Sequence, residues 1–200
     1  SKQYADFLTA GGQKWLNSPF GCGLMYVSDR VLKELRPPMF GYLALEDPEG
    51  GWGEYFRTPS ITPYRDFRFP DVAKKFEIAG TSNYPGAIGL GKSLKLINDV
   101  GIENCDAQIR RLTDVLHDEL AKLDVHVVTK RDPKHRSGIT IFRVDEDVNK
   151  NKAVLEKILE QKVYLAMRYT SNVGGIRVST HFFNNEDDIH TMIDALKKSM

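Results

Sequence analysis

Cysteine is scarce: the 200 residues hold two, Cys22 in a glycine-rich turn and Cys105 in a helical stretch. Settings so unlike exclude a disulfide framework and read as free thiols of a reducing compartment. No Cys/His spacing suits zinc, and His117, His126 and His135 are scattered, so no metal site is expected. An excess of one charge is missing too. Lys and Arg number 28 against 27 Asp and Glu, a net charge of +1. Without a basic block or basic residues interleaved with aromatics, nucleic acid is not an expected partner. No apolar run approaches the roughly 18 residues of a membrane-spanning helix. The N-terminus carries no apolar stretch of the signal-peptide kind, so the cytoplasm is expected and a membrane partner is not. Internal repeats and low-complexity tracts are absent.

What is present is material for folding. A hydrophobic content of 41% suffices for one domain with a real core or for two small lobes. Residues 1–45 read as α/β. Leu24-Met25-Tyr26-Val27 is a short apolar strand, and Asp29 can cap a helix carrying Val31, Leu32 and Leu35 that Pro37-Pro38 stops. Residues 46–70 read as an irregular excursion rich in Pro, Gly and aromatics, and a loop of that length is usually functional. A helix follows from Pro85, with Leu90, Leu94 and Ile97 on one face and Gly101 as its stop. Ile109, Leu112, Leu116, Leu120 and Leu123 mark a second helix. Strands are expected over 125–128, 139–144, 163–167 and 176–179. Helices are expected around Val154–Leu159 and after Asn184-Asn185, where an amide cap and an acidic first turn suit the helix dipole. The order implies an α+β lobe, a sheet covered by helices.

Three segments carry candidate chemistry. The first is Gly11-Gly12-Gln13-Lys14-Trp15-Leu16, followed by Pro19-Phe20-Gly21-Cys22-Gly23 and the strand. It sets an amine on a turn where small residues let a flat cofactor approach the backbone. Such an amine can form an imine with an aldehyde and later move a proton at the neighbouring carbon. The second is Phe76-Glu77-Ile78-Ala79-Gly80-Thr81-Ser82-Asn83, whose hydroxyls and turn amides suit a phosphate and could equally cap the next helix. The third is Gly174-Gly175-Ile176-Arg177-Val178-Ser179, running on to Asn185-Glu186-Asp187-Asp188-Ile189. Arg177 offers a planar fork for a carboxylate, or a strand partner for an acid.

In order and spacing these segments resemble the class V aminotransferase family of pyridoxal-phosphate enzymes. That family includes cysteine desulfurases, selenocysteine lyases and isopenicillin-epimerase-like proteins. The resemblance spans residues 11–189. It implies the C-terminal part of a fold type I enzyme: residues 1–80 the remnant of the large α/β cofactor domain, residues 81–200 the small α+β domain. It implies pyridoxal 5'-phosphate as cofactor and Lys14 as the Schiff-base lysine. Gln13 and Thr81 would serve as cofactor ligands, Thr81 toward the neighbouring subunit of a homodimer. Arg177 would clamp the substrate carboxylate, with Arg168 a second substrate-facing arginine. Amino acids and keto acids are the implied substrates. Transamination leads, with lyase or epimerase chemistry next.

The sequence also departs from the family. Gln13 stands where histidine is usual, and Gly11 where some members have serine. The stretch between Arg168 and Arg177 is short and lacks the cysteine of desulfurases, which argues against persulfide chemistry by that route. Cys22 reads as a packing residue of its turn. The aspartate that binds the pyridine nitrogen would precede Ser1, and Asp6 is too close to Lys14 to replace it. An N-terminal half is therefore an expected partner, and the chain alone is expected to be catalytically poor. A non-catalytic docking or dimerisation module is the alternative, and cofactor binding separates the two.

Overall fold

The structure is a computed structural model that describes residues 5–62, 64–77 and 80–200. Ile78 and Ala79, inside the second motif, and Pro63 lie outside the described residues. The chain divides into two compact units, Ser1–Leu96 and Ile97–Met200, the division falling inside a long helix.

The first unit opens with an antiparallel hairpin of β1 (Phe7–Gly11) and β2 (Gly23–Val27), registered Phe7 to Val27 and Gly11 to Gly23. Strand β2 is the expected apolar strand. The next helix, α1 (Asp29–Leu32), is shorter than the reading to Leu35, and its N-cap position is Ser28, with Asp29 the first helical residue. Pro37 pushes Arg36 out of the helical region, so the chain can only tail off through the Leu35 amide, which donates to Val31 O at 3.0 Å. Within the stretch read as irregular lies a helix, α2 (Gly51–Arg57). Its three aromatic positions decide the matter. Trp52, Tyr55 and Phe56 pack at i, i+3 and i+4 with Tyr42 edge-on to Trp52 at 5.2 Å, and ring packing outweighs glycine's poor propensity. Phe76 meets Phe7 edge-on at 5.9 Å and ties the second motif to β1. Helix α3 (Tyr84–Val100) closes the unit and leads out of it.

In the second unit Gly101 ends α3, as its position in the sequence suggests, and α4 (Ile102–Leu120) begins at once. A four-stranded antiparallel sheet follows, made of β3 (His126–Val127), β4 (Ile139–Arg143), β5 (Ala166–Thr170) and β6 (Val173–Ser179), in the order β3-β4-β6-β5. Helices α5 (Val148–Glu160) and α6 (Glu186–Ser199) join α4 over one face. Phe142, Ile176 and Val178 point inward from the strands. They meet Leu112, Leu116 and Leu120 of α4, Ile158 of α5, and Ile193 and Leu196 of α6 in one continuous core.

Strand β5 lies three residues later than the apolar pattern suggests. Its pairing is set by the turn Ser171-Asn172, both residues left-handed (φ 48° and 64°), which locks Thr170 opposite Val173. Val163 and Leu165, counted as strand, instead pack against the core from the approach to it. Helix α6 has the expected asparagine cap. Asn185 Oδ1 accepts from the Asp188 amide at 3.0 Å, and Asp188 Oδ2 accepts from the Asn185 amide at 3.1 Å. Among the described residues no helix is long and apolar enough to cross a membrane, and no cluster of three or more His, Cys, Asp or Glu could hold a metal ion.

Candidate active site

Lys14 stands on the turn of the β1–β2 hairpin. Two backbone bonds carry the hairpin beyond its last strand pair: Gly12 N to Cys22 O at 2.8 Å and Ser18 N to Gly12 O at 3.0 Å. The Asn17 amide then closes the turn on Lys14 O at 3.1 Å, with Asn17 left-handed at φ 51°, a conformation asparagine tolerates. The Lys14 side chain is exposed, and its amine has no partner among the described residues. Gln13 folds its amide over Gly11, its Oε1 3.0 Å from where a Cβ at residue 11 would stand.

What positions this turn is the N-terminal half of α3. Asn83 Nδ2 donates to Phe20 O at 2.9 Å, and Asn83 Oδ1 accepts from the Gly86 amide at 3.0 Å, so one side chain caps the helix and pins the loop. Ser93 Oγ donates to Leu16 O at 2.6 Å and lies 3.1 Å from Asn17 O, taking up carbonyls that the turn leaves unpaired. Between them Gly86 and Gly89 let the loop lie directly on the helix. A Cβ at 86 would stand 2.5 Å from Cys22 Sγ, and one at 89 would stand 2.7 Å from the Pro19 ring. Cys22 packs here as the sequence suggested, its thiol 3.6 Å from Asn83 O. The first and second motifs therefore meet through Asn83. Thr81, two residues earlier, is exposed. Beside them a hollow of about 660 Å³ is lined by Gly11, Cys22, Gly23, Phe76, Ser82 and Asn83, a size that suits a small ligand.

Asn83 closes the second motif, which the sequence offered as a cap for the next helix; Gly86, Gly89 and Ser93 were not singled out from sequence. A usable signal was there: glycines at 86 and 89 each cost a helix about 1 kcal/mol against alanine, so their presence calls for a packing reason.

Arg168 and Arg177 belong to the second unit. Strand alternation puts both on the sheet face that the helices leave open, Arg177 opposite Ala166 and Arg168 opposite Gly175. Arg143 of β4 faces the same way from the other side of Gly175, paired through Nη2 with Glu146 Oε1 at 2.7 Å. A side chain at 175 would run into Phe142 O, so the residue between the two arginines is bare. Arg168 Nη1 donates to Met167 O at 2.7 Å. Arg177 borders a hollow of about 590 Å³ with Ala166, Ser179 and Asp188, and its Nε is buried without a partner among the described residues. Unpaired guanidinium donors beside a hollow are equipped to take a carboxylate.

The family model for aminotransferase class-V matches residues 1–192. A probable cysteine desulfurase of Pyrococcus abyssi is 26% identical over 98% of this chain and 47% of its own length. An uncharacterized aminotransferase, C777.03c, of Schizosaccharomyces pombe is 30% identical over 94% of this chain and 43% of its own. The solved structure of the cystine C–S lyase C-DES with its reaction product cysteine persulfide superposes with a TM-score of 0.75 at 26% identity, covering 96% of this chain and 46% of that one. A lysine-to-alanine mutant of C-DES holds glycine covalently linked to its PLP cofactor. The chain thus spans about half the length of the curated relatives it matches, and it belongs to the aminotransferase class-V family.

Proposed function

We propose that this chain is the C-terminal half of a PLP-dependent enzyme that transforms amino acids, with transamination as its reaction. The observation that carries the reading is the clamped lysine turn: its backbone is held by Asn83 and Ser93 on a glycine-faced helix, and it presents a primary amine with no partner among the described residues. The Gln13 amide, with the Ser82 hydroxyl on the hollow beside the turn, offers donors that suit a phosphate-bearing aldehyde. When bound, PLP supplies an electrophilic aldehyde and an electron sink. Lys14 would hold the cofactor through its amine, and the same amine would move the proton at the substrate Cα. Gln13 and Thr81 hold the phosphate, Thr81 toward the partner subunit of a homodimer. Arg177 anchors the substrate α-carboxylate, and Arg168 assists it. An N-terminal half supplies the group that binds the pyridine nitrogen.

A lyase acting at Cβ is the second reading, and the β5–β6 turn bears on it. Two residues, Ser171 and Asn172, join the strands, leaving no loop that could carry a sulfur-accepting cysteine. A reaction that breaks a C–S bond without passing sulfur to the protein, like that of C-DES, stays compatible with this.

Titration with PLP, followed by visible absorbance, tests the proposal. A saturable band is expected, absent in Lys14→Ala, either with this chain alone or once the N-terminal half is added in trans. No band under either condition would overturn it. Keto-acid exchange between amino and keto acids against release of pyruvate and ammonia then separates transamination from lyase action.

A further inference from the structure

Between Phe40 and Phe67 the first unit folds an aromatic hollow that the chemistry of Lys14 and Arg177 does not use. It encloses about 330 Å³, with Phe40, Tyr42, Trp52, Tyr55, Phe56 and Phe67 in its wall. The rings brace one another. Tyr42 stands edge-on to Phe56 at 5.4 Å, and Phe56 stacks on Trp52 at 5.8 Å. Two polar tips of the wall are already engaged: Trp52 Nε1 donates to Asp47 Oδ1 at 3.1 Å, and the Tyr55 hydroxyl donates to Thr62 O at 3.1 Å. What remains is an apolar cup.

At its rim sits Arg65. Its guanidinium lies 4.9 Å from the centre of the Tyr55 ring and 5.2 Å from that of Phe67. It makes no hydrogen bond or ion pair among the described residues. Glu46, Asp47, Glu49 and Asp66 line the adjoining hollow that Arg65 also borders, yet none of them pairs with it, and Asp47 is held by Lys74 at 3.3 Å. The Tyr55 and Phe67 faces are thus already covered by a guanidinium. That guanidinium is left with its donor edge free for an anion.

We propose that this cup is a binding site for a compact aromatic carboxylate, the ring entering the hollow and the carboxylate meeting Arg65. It is independent of the assignments made for Lys14 and Arg177.

Calorimetric titration of the full chain with 3-phenylpropionate tests it, with 3-phenylpropanol as the ring without the charge and propionate as the charge without the ring. Saturable binding of 3-phenylpropionate is expected, with propionate much weaker. Arg65→Gln should weaken 3-phenylpropionate at least tenfold and leave 3-phenylpropanol unchanged. Ile61→Trp, which fills the cup from its rim, should block both aromatic probes and serves if Arg65→Gln does not fold. Arg177→Gln should bind like wild type, which separates this site from any carboxylate clamp on the sheet. The proposal fails if a folded chain shows no saturable binding, if Arg65→Gln titrates as wild type, if Arg177→Gln abolishes the signal, or if benzyltrimethylammonium binds more tightly than 3-phenylpropionate.

Discussion

Gly86 and Gly91 sit on the same helix, five residues apart, and their surroundings differ completely. Alanine at 91 meets nothing within 4 Å and gains helix propensity, so Gly91→Ala should stabilise by about 1 kcal/mol. Alanine at 86 runs into Cys22 Sγ and the Asn83 amide, so Gly86→Ala should destabilise by about 1–3 kcal/mol, the usual range for overpacking. Urea unfolding of the two variants checks the opposite signs. If Gly86→Ala were also stabilising, the lysine turn would not rest on α3 as described. His117 gives a pH-dependent counterpart. It is buried on the inner face of α4 with Thr140 Oγ1 3.3 Å from its Nε2, and burial first, then the nearby Arg131 and Arg136 cations, hold its pKa below the ordinary 6.5. Above that value folded and unfolded chains both carry the neutral ring. As pH falls below 6.5 the unfolded chain takes up a proton that the folded one refuses, so stability drops, by no more than about 1.4 kcal/mol per pH unit. Unfolding free energies at pH 7.5 and 5.5 should differ more for wild type than for His117→Gln. Asp114, held below the usual carboxylate range by Arg136, changes stability only under pH 3.8 and does not confuse the comparison. At this scale the Lys14 turn, the Thr81 segment and Arg177 stand out in the sequence as candidates by type and spacing. The long-range bonds of the clamp do not, because Asn83 and Ser93 reach partners 63 and 77 positions away.

Among the elements, those whose ends are written in local chemistry were legible. Gly101 divides α3 from α4 and Asn185 opens α6, each by a terminus rule that needs no tertiary knowledge. Helix α2 was not, since its sequence Gly-Trp-Gly-Glu-Tyr-Phe-Arg argues against a helix until the rings are packed. Strand β5 shows the reverse error. Its apolar residues precede the paired ones, because the Ser171-Asn172 turn, and not hydrophobicity, sets the register. Arg168 owes its place opposite Gly175 to that same turn.

Over the whole molecule the two units are unequally built. The second has one continuous core running through three helices and two strands, with Leu112, Leu116, Leu120, Phe142, Ile158, Ile176 and Leu196 sealed from solvent. The first buries only scattered apolar residues, such as Val27, Leu32, Leu45 and Leu90, and leaves Phe7, Leu8, Phe20, Leu24 and Phe40 exposed. Hydrogen exchange should therefore find slow amides in α4, β4, β6 and α6, and much faster ones in β1, β2 and α2. Equal protection across both units would contradict that inequality.

The hairpin under Lys14 has a consequence of a colloidal kind. Among the described residues β1 and β2 pair only with each other, so each turns an outer flank of unbonded amides and carbonyls to the solvent. Such flanks accept any extended segment that comes alongside. A sheet can grow there from its own polypeptide or from another molecule, and since only the second route depends on concentration, protein concentration is the condition that shifts the balance toward it.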